Sequence, residues 1–284
     1  MSSILQKLIN LALEEDIGSG DITSEALCGK SEVGSRKESG VFLAKQDLIV
    51  SGLEVARRTL WTVDDKIQWK ALARDGQRVV SGTKMVEVAG ELSSLLQAER
   101  TALNFLQHLS GIATFTNMFV KKIEGYPAQI LDTRKTLPGF RSLEKKAVLD
   151  GGGKNHRLGL YDRYLIKDNH LAGMSITQAL SLVREHNKQA FVVELEVQSL
   201  AQIEEALSGG ADILLLDNFS SEDLKKAVAQ IAGRAKSEAS GGINLSNIVD
   251  YAKTGVDFIS IGALTHSAPA ADISLEIGEM TENG

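Results

Sequence analysis

The stretch FVVELEVQSLAQIEEALSGGADILLLDN (residues 191–218) decides how this chain folds. Two short apolar runs, FVVELEV and ADILLLDN, flank QSLAQIEEALSGG, whose apolar positions recur at helical spacing before a terminal glycine pair. Strand, helix and strand in that order predict parallel strands joined by a right-handed crossover. The pattern extends in both directions. AQILDT (128–133) and RYLIKD (163–168) precede it, GRAKSEASGG (233–242) and VDFISIGA (256–263) follow, and SEDLKKAVAQIAG and LSNIVDYAKTG are helix-patterned links. Several of these runs are too apolar for a half-exposed strand, which suits a sheet buried on both faces. A β/α barrel is the expected architecture. A doubly wound open sheet is the alternative, although no GxGxxG follows a first strand.

Nearly every expected strand ends in a polar or glycine tag. The tags are Asp132-Thr133-Arg134-Lys135, Lys167-Asp168-Asn169, Glu194-Leu195-Glu196, Asp217-Asn218, Ser240-Gly241-Gly242 and Gly262-Ala263-Leu264. In β/α barrels these ends share one mouth, where ligand sites are built. A single tag would merely cap a loop; a succession of six points to a site.

Upstream the texture differs. Residues 3–15 read as an amphipathic helix, GSGDIT (18–23) as a loop, and GVFLAKQDLIVSG, KIQWKAL and KMVEVAG as strands with a helix, SGLEVARRTL, between the first two. This predicts a small α+β domain over roughly the first 100 residues. LLQAERTALNFLQHLSGIATFTNMFVKKIEG then reads as one or two long helices broken near Gly111.

Composition narrows the function classes. The chain has 284 residues, 43% hydrophobic and 24% charged, enough for a sizeable core and unlike a disordered chain. Its net charge of −6 argues against a nucleic-acid coat. One cysteine, Cys28, excludes a disulfide framework and a four-cysteine zinc site, and fits a reducing, cytoplasmic compartment. The opening MSSILQKLINLALEEDIG lacks a signal-peptide profile, and no run of apolar residues is long enough for a membrane span.

Against the acidic total, residues 132–170 hold nine Lys or Arg and five Asp or Glu. Arg134, Lys135, His156, Arg157 and Lys167 can reach one cavity, and such crowding calls for anions or paired acids. Phe140, Tyr161 and Tyr164 do not interleave with the cations as in a nucleic-acid surface, so a carboxylated or phosphorylated small ligand is favoured. The glycine tags at 240–242 and 262–264 suit a phosphate held by backbone N–H groups. Glu196 and Asp217, with Glu194 in register, point inward on alternating strands. They are suited to holding Mg²⁺, to hydrogen-bonding ribose hydroxyls, to stabilising a developing cation, or simply to pairing with Lys135 and Lys167. His186 reads as surface; His170 reads equally as a site residue or a loop hydrogen bonder.

The stretch DTRKTLPGFRSLEKKAVLDGGGKNHRLGLYDRYLIKDNH (132–170) resembles the signature of the quinolinate phosphoribosyltransferases, also called carboxylating nicotinate-nucleotide pyrophosphorylases. The likeness extends to EEDIGSGDITS (14–24), ERTALNFLQHLSGIAT (99–114), VELEV (193–197), LLLDN (214–218), SGGI (240–243) and ISIGALTHS (259–267), in the family's order. It implies the type II phosphoribosyltransferase fold, an α/β class: an N-terminal α/β sandwich-like domain (1–105), onto which a tail of about 268–284 returns, and an incomplete, seven-stranded β/α barrel (106–267). Six strands are legible, so one is unlocated. It implies a homodimer, or dimers assembled further, with Arg100 donated across the interface, and neither nucleic acid nor membrane as partner.

The implied reaction joins quinolinate to 5-phosphoribosyl-1-pyrophosphate with Mg²⁺ and no organic cofactor, giving nicotinate mononucleotide, pyrophosphate and carbon dioxide. By the same resemblance Arg100, Thr133, Arg134, His156, Arg157 and Lys167 bind substrate. Lys135 approaches the pyrophosphate donor, and Glu196 and Asp217 serve its ribose or Mg²⁺. Ser240, Gly241, Gly242, Gly262 and Ala263 cradle the 5-phosphate. His108 and Leu137 depart from the family pattern, in which arginine and threonine are common there. Four rivals remain: a paralogue associated with molybdenum transport, a nicotinate-using relative, against which the surplus of cations argues, a Schiff-base aldolase using Lys167, and a non-catalytic anion-binding protein.

Overall fold

The computed structural model describes residues 3–28 and 36–278. The N-terminal periodicity folds as α1 (Ser3–Ile17), burying Leu5, Ile9 and Leu13 along one stripe. The expected loop at 18–23 passes directly into a second helix, α2 (Ile22–Cys28). Asp21 sets that start, because its Oδ1 accepts from the backbone N–H groups of Thr23 (3.1 Å) and Ser24 (3.0 Å). The elements β1 (Lys37–Ala44), β2 (Leu48–Ile49), α3 (Leu53–Val63), β3 (Gln68–Ala71), β4 (Arg78–Val79) and β5 (Lys84–Glu91) follow. β5 pairs antiparallel with β1 and with β3, setting Phe42 opposite Val86, while β2 and β4 form a separate ribbon.

α4 (Leu92–Lys122) runs for 31 residues without a break. Gly111 does not interrupt it; the position lacks a side chain because a Cβ there would collide with the Pro269 carbonyl oxygen. β6 (Gln129–Leu131) and α5 (Arg141–Asp150) come next.

The parallel alternation then unfolds as β7 (Tyr164–Ile166), α6 (Ile176–His186), β8 (Val193–Val197), α7 (Ile203–Gly209), β9 (Ile213–Asp217) and α8 (Ser221–Ile231). It continues with β10 (Lys236–Ser240), α9 (Ile248–Ala252), β11 (Phe258–Ser260) and α10 (Ala263–His266). The chain's last described strand, β12 (Ile273–Ile277), adds antiparallel to β1, giving the sheet order β12-β1-β5-β3. Phe42, Leu60, Met85, Leu95, Leu103 and Leu106 are buried together in the core of this part.

Two compact units result: Met1–Phe115 with Pro138–Gly151 and Ala268–Gly284, and Thr116–Leu137 with Gly152–Ser267. The division expected at 105/106 falls inside the continuous α4, and α5 belongs to the first unit although its sequence lies between β6 and β7. Of the tail assigned to 268–284, residues 279–284 lie outside the described residues.

The second unit is built on a parallel sheet of order β6-β11-β10-β9-β8-β7. β9 is buried at Ile213, Leu214, Leu215 and Leu216, as expected of a sheet covered on both faces. Where a seventh strand was implied there is only an isolated bridge: Lys154 pairs parallel with Leu131, exchanging backbone hydrogen bonds with Ile130 and Asp132. The sheet curls strongly. His156, just past that bridge, reaches Glu194 on β8 at 3.0 Å, although β8 is the fifth strand away in the sheet order. In a flat sheet strand spacings of about 4.8 Å would hold them roughly 24 Å apart. Among the described residues no pairing joins β7 to Lys154, so the curled sheet does not close. Among them, too, no helix is long and apolar enough to cross a membrane.

Candidate active site

The C-terminal ends of the parallel strands open on a cavity of about 640 Å³. Thr133, Arg134 and Lys135 enter it after β6, His156 and Arg157 after the Lys154 bridge, and Lys167 after β7. Glu196 on β8 and Asp217 at the end of β9 line it too, as do Ser240 to Gly242 after β10 and Gly262 and Ala263 after β11. Every site residue expected from the second unit therefore meets at one mouth. Arg100 stands exposed on α4 in the first unit and is not among the lining residues.

The cations are held apart and anchored. Arg157 is buried, and its Nη1 donates to the Arg163 carbonyl at 3.4 Å. Burial, and then the charge of Arg134, push the Arg157 guanidinium below its ordinary pKa, while the Glu194 and Asp162 charges oppose the fall. Lys167 donates from Nζ to Glu196 Oε2 at 2.9 Å. That contact engages the amine that a Schiff-base aldolase would need free. His170 is a loop hydrogen bonder, since its Nδ1 accepts from the Lys167 backbone N–H at 2.9 Å.

The phosphate-like side is made of backbone. Asn218 adopts a left-handed conformation (φ 57°), donates from Nδ2 to Asp217 Oδ2 at 2.7 Å, and donates its backbone N–H to Ser240 O at 2.9 Å. Gly241 (φ 102°) packs against the Asn218 side chain so closely that a Cβ would collide with it. Across the mouth, Thr265 Oγ1 donates to the Lys135 carbonyl at 2.7 Å, and a Cβ on Gly262 would stand 3.0 Å from Lys135 Cδ. These contacts fix the glycine turns at both strand ends.

Beneath the mouth lies a polar cluster. His156 Nδ1 accepts from the Arg157 backbone N–H at 2.8 Å, which leaves the ring proton on Nε2. Nε2 faces Glu194 Oε2 at 3.0 Å and Glu238 Oε1 at 3.6 Å. The ligand atoms of these three side chains lie within 4.8 Å of one another, close enough for a metal, but Arg163 Nη1 already pairs with Glu194 Oε2 at 3.2 Å. Burial works against the Glu194 anion, yet the His156 hydrogen bond and the charges of His156 and Arg163 hold its pKa below the usual carboxylate range. Glu238 goes the other way: burial first, then the Glu194 charge, push it up to about 7, although the charges of His156 and Arg163 and a hydrogen bond from Ser260 oppose the rise.

The sequence reading gave no role to Glu238, which lines the cavity, or to Arg163, which holds Glu194 beneath it, and it named Asn218 only as part of a strand-end tag. The run KSEAS shows no apolar alternation, although Ser237, Glu238 and Ala239 are all buried. The parity of residues 238 and 240 along β10 was the available signal. The unusual His108 pairs through Nε2 with the buried Glu144 Oε1 at 2.9 Å in the first unit, and Leu137 is exposed.

Comparison with known proteins identifies the family. Residues 112–276 match the model of the quinolinate phosphoribosyl transferase C-terminal domain, and residues 21–110 that of the N-terminal domain. A Bacillus subtilis protein described as a probable nicotinate-nucleotide pyrophosphorylase (carboxylating) is 38% identical, covering 96% of this chain and 93% of its own. A Nicotiana tabacum quinolinate phosphoribosyltransferase (decarboxylating) is 41% identical over 96% of this chain and 82% of its own. The nicotinate-nucleotide pyrophosphorylase structure from Francisella tularensis superposes with a TM-score of 0.91 at 42% identity, covering 97% of this chain and 96% of that one. With both domain models matched in order along one chain, it belongs to the quinolinate phosphoribosyltransferase family.

Proposed function

We propose that the chain transfers the phosphoribosyl group of 5-phosphoribosyl-1-pyrophosphate to the ring nitrogen of quinolinate and removes the 2-carboxylate, a step of NAD biosynthesis. The products are nicotinate mononucleotide, pyrophosphate and carbon dioxide. The observation that carries this reading is the meeting of Arg134, Arg157 and Lys167 with Glu196 and Asp217 around one cavity. A dicarboxylate needs several cations at once, and a sugar carbon gaining positive charge needs acids beside it.

Arg134, Arg157 and Lys167 clamp the two carboxylates, with Thr133 beside them. His156 lines the cavity beside them, and with Nδ1 on the Arg157 backbone N–H it also helps to set Arg157. Lys135 meets the pyrophosphate, and Ser240, Gly241, Gly242, Gly262 and Ala263 take the 5-phosphate through backbone N–H groups. The ring nitrogen attacks the anomeric carbon as pyrophosphate leaves, and Glu196 and Asp217 stabilise the charge that grows there. No side chain forms a covalent bond, so catalysis rests on positioning and electrostatics.

The carboxylate oxygens of Glu196 and Asp217 at adjacent strand ends are the hard donors Mg²⁺ prefers, so the donor set fits the ion. When bound with the pyrophosphate, the ion neutralises leaving-group charge. Arg100, exposed on α4, fits a role in a neighbouring subunit's site, making the working unit a homodimer or an assembly of dimers. A reducing, cytoplasmic setting suits the single cysteine.

The test is to mix the protein with quinolinate, 5-phosphoribosyl-1-pyrophosphate and Mg²⁺, following nicotinate mononucleotide and carbon dioxide, with nicotinic acid in parallel. Product from quinolinate alone supports the reading; no product from either acid with folded protein rejects it.

A further inference from the structure

Loss of carbon dioxide from the pyridinium intermediate leaves an electron pair on ring carbon 2, which must receive a proton. We propose that Glu238, buried at the cavity wall, is the acid that supplies it; the inference rests on the quinolinate reaction given above.

Several neighbouring groups are poor donors. Guanidinium groups such as Arg134 and Arg157 do not release protons in proteins. The Lys167 ammonium is paired with Glu196, and giving up its proton would break that pair. Glu194 is bound by Arg163 and His156 and so carries no proton to give. Glu238 differs on three counts. It is 1% exposed, it lines the cavity, and its Oε2 has no hydrogen-bond partner. The groups facing it are Glu194 from β8, His156 beyond the Lys154 bridge, Arg163 ahead of β7 and Ser260 from β11. Its carboxyl pKa of about 7 keeps a proton available at neutral pH without an ion pair having to be broken.

The step balances as follows. The bond from carbon 2 to its carboxylate breaks, carbon dioxide departs, and both electrons stay on carbon 2 beside the cationic nitrogen. That pair takes the proton from the Glu238 carboxyl, whose O–H electrons remain on oxygen. The resulting carboxylate, facing the Glu194 anion, takes a proton back from solvent. Without a donor the carbanion recaptures carbon dioxide and returns to the quinolinate mononucleotide.

The test is a single turnover of the full-length protein with quinolinate, 5-phosphoribosyl-1-pyrophosphate and Mg²⁺, quenched and assayed for pyrophosphate, quinolinate mononucleotide and nicotinate mononucleotide. Wild type comes first, because its failure to form product defeats the reaction itself rather than this inference. In Glu238→Gln, which keeps the shape but loses the acid, the ratio of nicotinate mononucleotide to pyrophosphate is expected to fall about tenfold or more, with the carboxylated mononucleotide accumulating. Glu238→Asp, still an acid, is expected to recover part of that ratio. A Glu238→Gln ratio equal to wild type, whether the two products are formed at full rate or slowed together, overturns the proposal. If melting shows that the glutamine variant does not fold, the wild-type ratio between about pH 6 and about pH 8 decides. A ratio falling across that range supports Glu238, and a constant ratio overturns it.

Discussion

Lys167 Nζ and Glu196 Oε2 stand 2.9 Å apart, so one hydrogen bond joins the cationic half of the mouth to its acidic half. On the proposed reading, a substrate carboxylate arriving at Lys167 is expected to compete with Glu196 for its amine and to free Glu196 for the sugar. Glu196→Gln, like Asp217→Asn, is therefore expected to cut kcat by about tenfold or more while changing quinolinate Kd far less. Steady-state kinetics beside equilibrium binding check this; equal losses in both would contradict the role given to the acids.

Arg134→Ala and Arg157→Ala should each weaken quinolinate binding by a few kcal/mol, about a hundredfold in Kd, because a partly buried charge-assisted clamp is lost. Titration calorimetry with quinolinate measures the change. Unaltered affinity in both variants rules out the clamp.

The two glycines of the β10 turn are not equivalent. Gly241 (φ 102°) meets the Asn218 side chain, whereas Gly242 (φ 62°) has open space where its Cβ would lie. Gly241→Ala should cost about 1–3 kcal/mol and disturb both Asp217 and the phosphate turn, raising KM for 5-phosphoribosyl-1-pyrophosphate. Gly242→Ala carries only the left-handed backbone penalty, about 1–2 kcal/mol. Similar KM values for the two variants would show that Asn218 does not link the turn to Asp217.

How much of this was legible in the sequence follows from what each residue's pattern encodes. Apolar runs such as ILLLD report burial on both faces, so most of the six strands and their polar tags could be read directly, whereas KSEAS has no such run. A strand reduced to Lys154 has no periodicity to read. α4 looked breakable at Gly111 because the chain gives no sign of Pro269 packing there. Arg134, Lys167 and Asp217 were legible because they end recognisable strands. Glu238 was not, since a glutamate among serines looks solvated until His156 and Glu194 are found facing it across the curled sheet.

Glu238 also makes stability depend on pH. Its carboxyl titrates at about 7 when folded, against 4.5 ordinarily, so between those values the folded protein keeps a proton that the unfolded chain has lost. Stability is expected to fall by a few kcal/mol as pH rises from about 4.5 to about 7, then level off. Glu194, shifted the other way, loses its contribution only as pH drops below its ordinary range. Glu238→Gln should flatten the upper window and melt higher than wild type at pH about 8 but not at about 5. Identical melting shifts at both would contradict a raised Glu238.

Gly111→Ala should destabilise the first unit by about 1–3 kcal/mol, because the added methyl meets the fixed backbone of residues 269–271. Urea denaturation reads this; a stability equal to wild type would mean that this segment yields freely.

The first unit draws its last strand from the far end of the chain, and α5 reaches it from between the two segments that carry Arg134 and Arg157. Neither unit can be excised as one uninterrupted piece of gene without removing part of the other. During synthesis the edge of β1 that β12 will occupy stays open until residue 277 has left the ribosome, so the earliest sheet to be made is among the last to be finished.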